Sequence, residues 1–267
     1  MGAAALLAES CHGSGYCPPT ADTFIYSPVA QFTIAGLDFK ITKITILLWI
    51  GCALIIAFFL AAVRRPKLVP GRVQWIAESM YSFVRDGIAR EVIGPKGVKF
   101  APYMAALFAF VLLMNVYEII PFAQVPVTGR FAFPVLLTAI TYIMFIWVGI
   151  KEKGMHYFRD ILFPPGMPKA IYLLLTPIEL ASTFVFRPLT LAVRLFANMF
   201  AGHLMLLVFF TGTTYLLTVG NFSMIFSLPA FLMAIMLTFF ELLVCALQAY
   251  VFTILTAVYV SDAYTEH

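Results

Sequence analysis

The sequence predicts an all-α polytopic membrane protein with five membrane-crossing helices and one amphipathic surface helix, the last two crossing helices long and steeply tilted. Hydrophobic residues make up 62% of the chain and charged ones 11%, whereas ordinary soluble domains are about 25% charged. Five nearly uncharged runs, at 44–63, 101–120, 131–150, 170–217 and 222–260, each meet the ~20-residue length that a helix needs to cross hydrocarbon. No run alternates apolar with polar residues over the ~10-residue length of a membrane barrel strand.

Residues 1–43 form an extracytoplasmic N-terminal segment. Its start, MGAAALLAES, lacks a basic flank and has too short an apolar run for a cleaved signal peptide, so the first spanning helix at 44–63 serves as its own signal. A connection at 64–100 follows, opening on RRPKLVPGR and continuing as an amphipathic helix at 73–91 that sets Val73, Ile76, Met80, Val84 and Ile88 near one face. Such a helix either lies along the membrane surface or acts as a soluble connector. A helical hairpin occupies 101–150, turning at 121–129, and a loop at 151–169 precedes the long hairpin at 170–260. The chain closes with a short tail at 261–267.

Residues 171–217 and 222–260 would extend about 70 and 58 Å as helices, against ~30 Å of hydrocarbon. No Asn-Gly or Gly-Pro signal divides either run, so the sequence predicts two tilted helices turning near Gly220 and Asn221. Eight basic residues lie in the first connection (Arg64, Arg65, Lys67, Arg72, Arg85, Arg90, Lys96, Lys99) and four in the second (Lys151, Lys153, Arg159, Lys169). One helical hairpin separates these connections, which places both on the face that the positive-inside rule makes cytoplasmic. The N-terminus is then outside and the C-terminus inside. The net charge of +4 is a topology signal and not a nucleic-acid surface.

Arg194 lies near the middle of an apolar run with no acid beside it. Its guanidinium cannot shed a proton, and placing it at mid-bilayer costs roughly 3 kcal/mol on insertion scales, which marks it as a functional residue. At 100° per residue, Thr176 lies at about 0° from Arg194, Glu179 at about −60°, Thr183 at −20°, Arg187 at +20°, Thr190 at −40° and Asn198 at +40°. These positions form one stripe. His203 falls about 180° away. On the last helix Glu241, Cys245, Gln248, Phe252 and Tyr259 lie within about 40° of one another.

Apolar neighbours disfavour the charged form of a carboxyl group, so Glu241, flanked by Phe239, Phe240, Leu242 and Leu243, is a proton-relay candidate. His203 suits proton transfer, although a helix-bridging hydrogen bond would also account for it. Asn198 and Gln248 can only hydrogen-bond and would orient water or the arginine. Arg187 is a weaker candidate that could simply pair with Glu179 or reach headgroups. Asn115 and Glu118, one turn apart before Pro121, fit either the floor of an aqueous entrance or an interfacial carboxylate in contact with water. Cys11 and Cys17 are compatible with a disulfide or with two free thiols, and no set of side chains has the ligand count of a metal site.

At RLFANMFAGH, 194–203, the chain resembles subunit a of the F-type ATP synthases. Further matches are FVLLMNVYEIIP at 110–121, PIELAS at 177–182, RPLTLAVRLFANMFAGH at 187–203 and ELLVCALQAYVFTILTAVYV at 241–260; the first 40 residues are not covered. The resemblance implies a tilted hairpin against a rotating ring of c subunits, with two offset aqueous half-channels leading protons to and from a ring carboxylate. It gives Arg194 the role of the essential charge facing the ring, and places Asn198, His203, Glu241 and Gln248 on positions of proton access. Asn115, Glu118, Glu179, Arg187 and Tyr259 become candidate channel-lining residues.

Many bacterial relatives carry the acid on the first long helix and the histidine on the last, so His203 and Glu241 are exchanged here. The implied partners are the c ring, the peripheral-stalk b subunit, lipid, protons and, indirectly, the F1 sector, in a bacterial plasma membrane. A histidine relay favours protons over sodium. No cofactor, catalytic residue or nucleic-acid contact is expected. The competing classes are an intramembrane hydrolase, for which HExxH, a Ser/His pairing and a metal triad are absent, and a stand-alone secondary transporter, which would show internal repeats and a central pocket.

The charge pattern yields a topology test. Membrane-impermeant thiol reagents are expected to label Cys11 or Cys17 from outside intact cells while a tag after His267 stays protected, and the opposite pattern would invert the orientation.

Overall fold

The computed structural model describes residues 16, 30–34, 37–64, 66–120, 125, 127–154, 169–219 and 221–264. Cys11, Cys17, Arg65, Pro121, Arg159, Gly220 and the last three residues lie outside them, together with most of the turn expected at 121–129 and of the loop expected at 151–169. Five helices among the described residues are long and apolar enough to cross a membrane, as the composition requires.

The sequence predicts no regular element before the first spanning helix, yet a short antiparallel hairpin forms there, β1 (Ala30–Ile34) against β2 (Leu37–Ile41). Its register sets Gln31 opposite Lys40 and Thr33 opposite Asp38, and Phe32 opposite Phe39. Polar positions thus pair with polar and apolar with apolar, the two-residue period of a sheet with two unlike faces. Five residues per strand are too few for a membrane-spanning barrel strand, which takes about 9–11.

Helix α1 (Lys43–Val63) is peripheral, burying only Ile44, Gly51 and Ala62. At Gly51 the absent Cβ leaves room for the end of the Met114 side chain. Helix α2 (Arg72–Val84) runs into a π-helical segment, Arg85–Ile93, which ends at Gly94 with φ of 87°. The expected amphipathic face is only half correct. Val84 and Ile88 are fully buried, but Val73 and Ile76 stay about half exposed, because the start of α2 lies at the edge of the bundle and buries only Ala77 before Val84.

Helices α3 (Ala101–Val116) and α4 (Ala132–Lys153) form the shorter hairpin. The long pair follows. Helix α5 (Lys169–Ala181) passes through a π-helical turn, Ser182–Phe186, into α6 (Arg187–Val219); a 3₁₀ segment, Asn221–Phe226, then leads into α7 (Ser227–Tyr264). The 33 residues of α6 and 38 of α7 are about 50 and 57 Å long, so neither fits upright in ~30 Å of hydrocarbon. Helix α7 is the central element, packing against α3, α4, α6 and the 85–93 segment.

Two expectations need correction. The run from 171 to 217 is not one regular helix: Pro188 has no N–H for the Phe184 carbonyl four residues back, and the π turn sits where that hydrogen bond is lost. The Tyr142 hydroxyl donates to the Thr183 carbonyl there at 2.9 Å. The last helix also extends beyond 260, through Tyr264. Its end is held because Ser261 donates to the Val92 carbonyl at 3.1 Å, the Tyr264 hydroxyl reaches Glu152 at 3.0 Å, and Lys99 pairs with the same Glu152 oxygen at 2.9 Å. The end of the bundle that carries both basic connections, the basic end, is thereby closed.

Three apolar cores stack along the bundle. Val84, Ile88, Phe100, Met104, Phe145, Ala257 and Val260 fill the basic end; Leu107, Val111, Leu191, Leu195, Ala249 and Phe252 the middle; Ile44, Met114, Tyr117, Val125 and Val127 the opposite end. Since the Tyr142 hydroxyl satisfies a carbonyl in the irregular turn, Tyr142→Phe should lower stability by about 1 kcal/mol, read as a lower thermal unfolding midpoint of the detergent-solubilised chain; an unchanged midpoint would mean that the turn is held by packing alone.

Candidate functional site

The sequence places two polar stripes on α6 and α7, and antiparallel packing brings them into one interface that α3 completes. Glu118, His203, Glu241 and Gln248 are 3%, 6%, 5% and 6% exposed, and Asn115 is fully buried. The His203 Nδ1 atom lies 3.3 Å from Glu118 Oε1. Glu241 is close enough to both Glu118 and His203 to interact with their charges. Asn115 accepts a 3.0 Å hydrogen bond from the Thr128 hydroxyl through Oδ1. Glu118 is thus buried, which does not fit the reading of an interfacial carboxylate in contact with water.

Two features make this interior polar group a site and not a packed knot. Both Glu118 oxygens, Glu241 Oε1, Asn198 Nδ2 and Gln248 Nε2 are buried without a hydrogen-bond partner among the described residues. Such groups are normally satisfied, by water where protein does not suffice. A cavity of about 190 Å³ also reaches Glu241 and is lined by Asn198, Gly202, Met205, Leu237 and Val244. It is large enough for several waters.

Gly202 enters the sequence reading only as the last position of the Arg-x-x-x-Asn-x-x-x-Gly spacing at 194–202, with no role of its own, and the structure shows what it faces. A Cβ on Gly202 would occupy the space of the Glu241 carboxyl group, so the absent side chain lets that group rest against α6 without shifting. The available signal was its position between Asn198 and His203 on the polar helix, which spacing alone does not distinguish from an ordinary helix-packing glycine.

Arg194 stands apart from this cluster. It is exposed on the bundle surface and forms no ion pair among the described residues. It lies seven residues after Arg187 and nine before His203, about 10 and 13 Å along the helix. His203 is buried on the other side, as the 180° offset predicts. Asn198, one turn beyond Arg194, borders the cavity at Glu241 and connects the arginine face with the interior cluster.

A second polar group lies toward the basic end. Arg187 pairs with Asp262 at 2.7 Å and its guanidinium sits 5.7 Å from the centroid of the Tyr259 ring. This replaces the pairing with Glu179 weighed from sequence, and Asp262 was missed because the helix was expected to end before it. Tyr259 is within electrostatic reach of both Arg187 and Arg194. The π turn at 182–186 absorbs about one residue, about 100° of rotation, so Glu179 moves to about +40° from Arg194 and Thr176 to about +100°. Glu179 stays on the arginine side and partly exposed; Thr176 leaves the stripe.

Between the two polar groups lies the middle apolar core, in which Leu191 and Leu195 of α6 pack with Ala249 and Phe252 of α7, all fully buried or nearly so. No cluster of three or more His, Cys, Asp or Glu side chains able to hold a metal ion occurs among the described residues. Cys52 and Cys245 are free.

The family model described as ATP synthase A chain matches residues 45–261. The chain belongs to that family. Curated relatives named ATP synthase subunit a include those of Frankia alni, 46% identical over 251 residues that cover 93% of this chain and 86% of the relative, and Streptomyces lividans, 40% identical over 267 residues, covering 96% and 92%. That of Hyphomonas neptunium is 40% identical over 249 residues, 88% of this chain and 95% of the relative. Membership makes this a bacterial-type, multi-pass membrane subunit, and the matched span contains every residue of both polar groups except Asp262.

The Gly202 contact predicts an asymmetry between two glycines on one helix. Gly212→Ala, with open space around it, should be neutral or stabilising by up to about 1 kcal/mol through helix propensity. Gly202→Ala should destabilise despite the same propensity gain, and equal thermal shifts in the two variants would mean that Glu241 moves aside freely.

Proposed function

We propose that this chain is the proton-translocating stator subunit of a bacterial F-type ATP synthase, and that it forms two offset half-channels against a ring of c subunits, with Arg194 as the electrostatic gate. The observation that carries the reading is the separation of two polar groups by the Leu191, Leu195, Ala249 and Phe252 core, with an exposed arginine beside that core. A proton cannot cross such an apolar layer without a carrier. Around it, the side that bears Arg194 remains available to a partner.

On this reading Glu118, His203, Glu241, Gln248 and Asn115 form the half-channel that opens opposite the basic end, and Arg187, Tyr259 and Asp262, with Glu179, line the other. Asn198 and the cavity at Glu241 deliver protons to a ring carboxylate. That carboxylate crosses the arginine face only while deprotonated, because the fixed guanidinium attracts the anion and repels a free proton. Each proton must therefore enter by one half-channel, ride the ring, and leave by the other. Moving one charge through the membrane potential yields ~2.3 kcal/mol per 100 mV, so several protons drive each ATP.

The subunit itself holds no catalytic residue and couples to F1 chemistry through the ring and the stalk formed by b subunits. The basic connections face the cytoplasm and the N-terminus the outside of the plasma membrane, in keeping with the positive-inside rule. Because the charge and not a helix contact is at stake, Arg194→Ala should abolish both ATP synthesis and ATP-driven pumping in inverted vesicles while the complex still assembles. Arg194→Lys, a compact ammonium in place of a planar fork, should also be severely impaired. Near-normal synthesis by an assembled Arg194→Ala complex would sink the gate.

A separate test addresses the relay. His203→Ala and Glu241→Ala should each slow proton-driven synthesis, and the reciprocal change His203→Glu with Glu241→His should restore part of it; wild-type coupling in both single variants would remove the two residues from the path.

A further inference from the structure

A second, larger cavity lies away from the polar interior. It has a volume of about 510 Å³ and is enclosed by the end of α1 at Phe59 and Ala62, by Ala77 and Tyr81 of α2, and by Ala105 and Ala106 of α3. Four small side chains on three helices leave this space open, and its wall is almost wholly apolar. The polar exceptions are Gln74 and Glu78, which occupy each other: the Gln74 amide donates to Glu78 Oε1 at 2.7 Å.

The mouth has the opposite character. Arg64 follows directly on the lining residue Val63, and Lys67 follows Pro66, which also lines the cavity. Lys67 is fixed there by its backbone, since its N–H donates to Gln74 Oε1 at 3.2 Å and its carbonyl accepts from Gln74 Nε2 at 3.1 Å. Arg72 begins α2 two residues before Gln74. None of these three cations forms an ion pair among the described residues.

We infer that this cavity binds one acyl chain of an anionic phospholipid, whose phosphate headgroup is held at the mouth by Arg64, Lys67 and Arg72. The volume lies within the ~300–1,000 Å³ typical of small-molecule sites. A helix 10–12 Å across would fill it in roughly four residues, which suits a single chain-like ligand and not a transmembrane segment. The cations match an anionic headgroup in charge. In the same connection and at the start of α2, Leu68 is fully exposed and Val69 and Trp75 largely so, the mixture of apolar, aromatic and basic side chains found at headgroup depth.

The site gives the lightly packed α1 a means of attachment. Helix α1 buries only three residues of its own, so a lipid chain lying between it, α2 and α3 would fill its contact at the basic end. Lipid binding here is independent of proton movement through the interior polar group, and the two can fail separately.

The test uses the assembled membrane complex in nanodiscs that contain a photoreactive diazirine on the acyl chain of either phosphatidylglycerol or phosphatidylcholine at equal mole fraction. Phosphatidylglycerol should label peptides spanning 74–81 and 102–106 several-fold more than phosphatidylcholine does. Lys67→Gln and Arg72→Gln should each remove a large part of that preference. Ala106→Phe, at a position with an exposed side chain, should remove most of the labelling by filling the cavity. Equal labelling by the two lipids would reduce the site to ordinary lipid contact and overturn the inference. So would labelling of the isolated chain that disappears in the complex, which would show a polypeptide partner seated there, or labelling unchanged in both the charge variants and Ala106→Phe.

Discussion

The close approach of α6 and α7 at Gly202 is the contact on which the rest of the site depends. A Cβ at Gly202 would meet the Glu241 carboxyl group, so the glycine leaves that group its place against α6, within reach of the charges of His203 and Glu118. Once the helices meet there, the antiparallel direction of α7 places Gln248 and the Ala249 and Phe252 core beside Leu191 and Leu195 of α6. Tyr259 and Asp262 are then carried to Arg187 at the other end. Two polar groups and the layer between them follow from a single packing choice.

The bilayer explains why these polar groups are arranged as they are. In hydrocarbon every polar atom without a partner costs free energy, so a membrane protein places ionisable side chains inside the bundle, in a water-filled cavity, or against another protein. Glu118, His203 and Glu241 take the first two solutions. Arg194 takes neither within this chain, being exposed and unpaired among the described residues, which leaves the third solution, the one the proposed function adopts.

The periphery follows a different rule. Helix α1 and the start of α2 expose most of their apolar side chains, while the basic end is tied by Lys99, Glu152 and Tyr264. The polar machinery is thus mounted on a tightly joined α3, α4, α6 and α7 bundle, and α1 and α2 sit outside it as a looser layer with small residues between them. The irregular segment at 85–93 lies where these layers meet, against α2, α3 and α7.

Sequence alone determined the membrane class, the five crossing helices, the length that denies the last two an upright position, and the identity of most polar residues of the site, because hydrophobic runs and a 100° repeat are local properties of the chain. It also separated His203 from Arg194 correctly, since no irregular turn lies between them. Where a π turn intervenes, before Pro188, the count lost its phase and misplaced Thr176; Val73 and Ile76 lie at the start of α2, at the edge of the bundle, where the periodicity of one helix does not say what packs against it. The partners were beyond it. That Arg187 meets Asp262 and not Glu179, that Glu118 reaches His203 and is buried, and that Gly202 yields its space to Glu241 depend on how separate helices approach in three dimensions, and no spacing along one helix contains that distance.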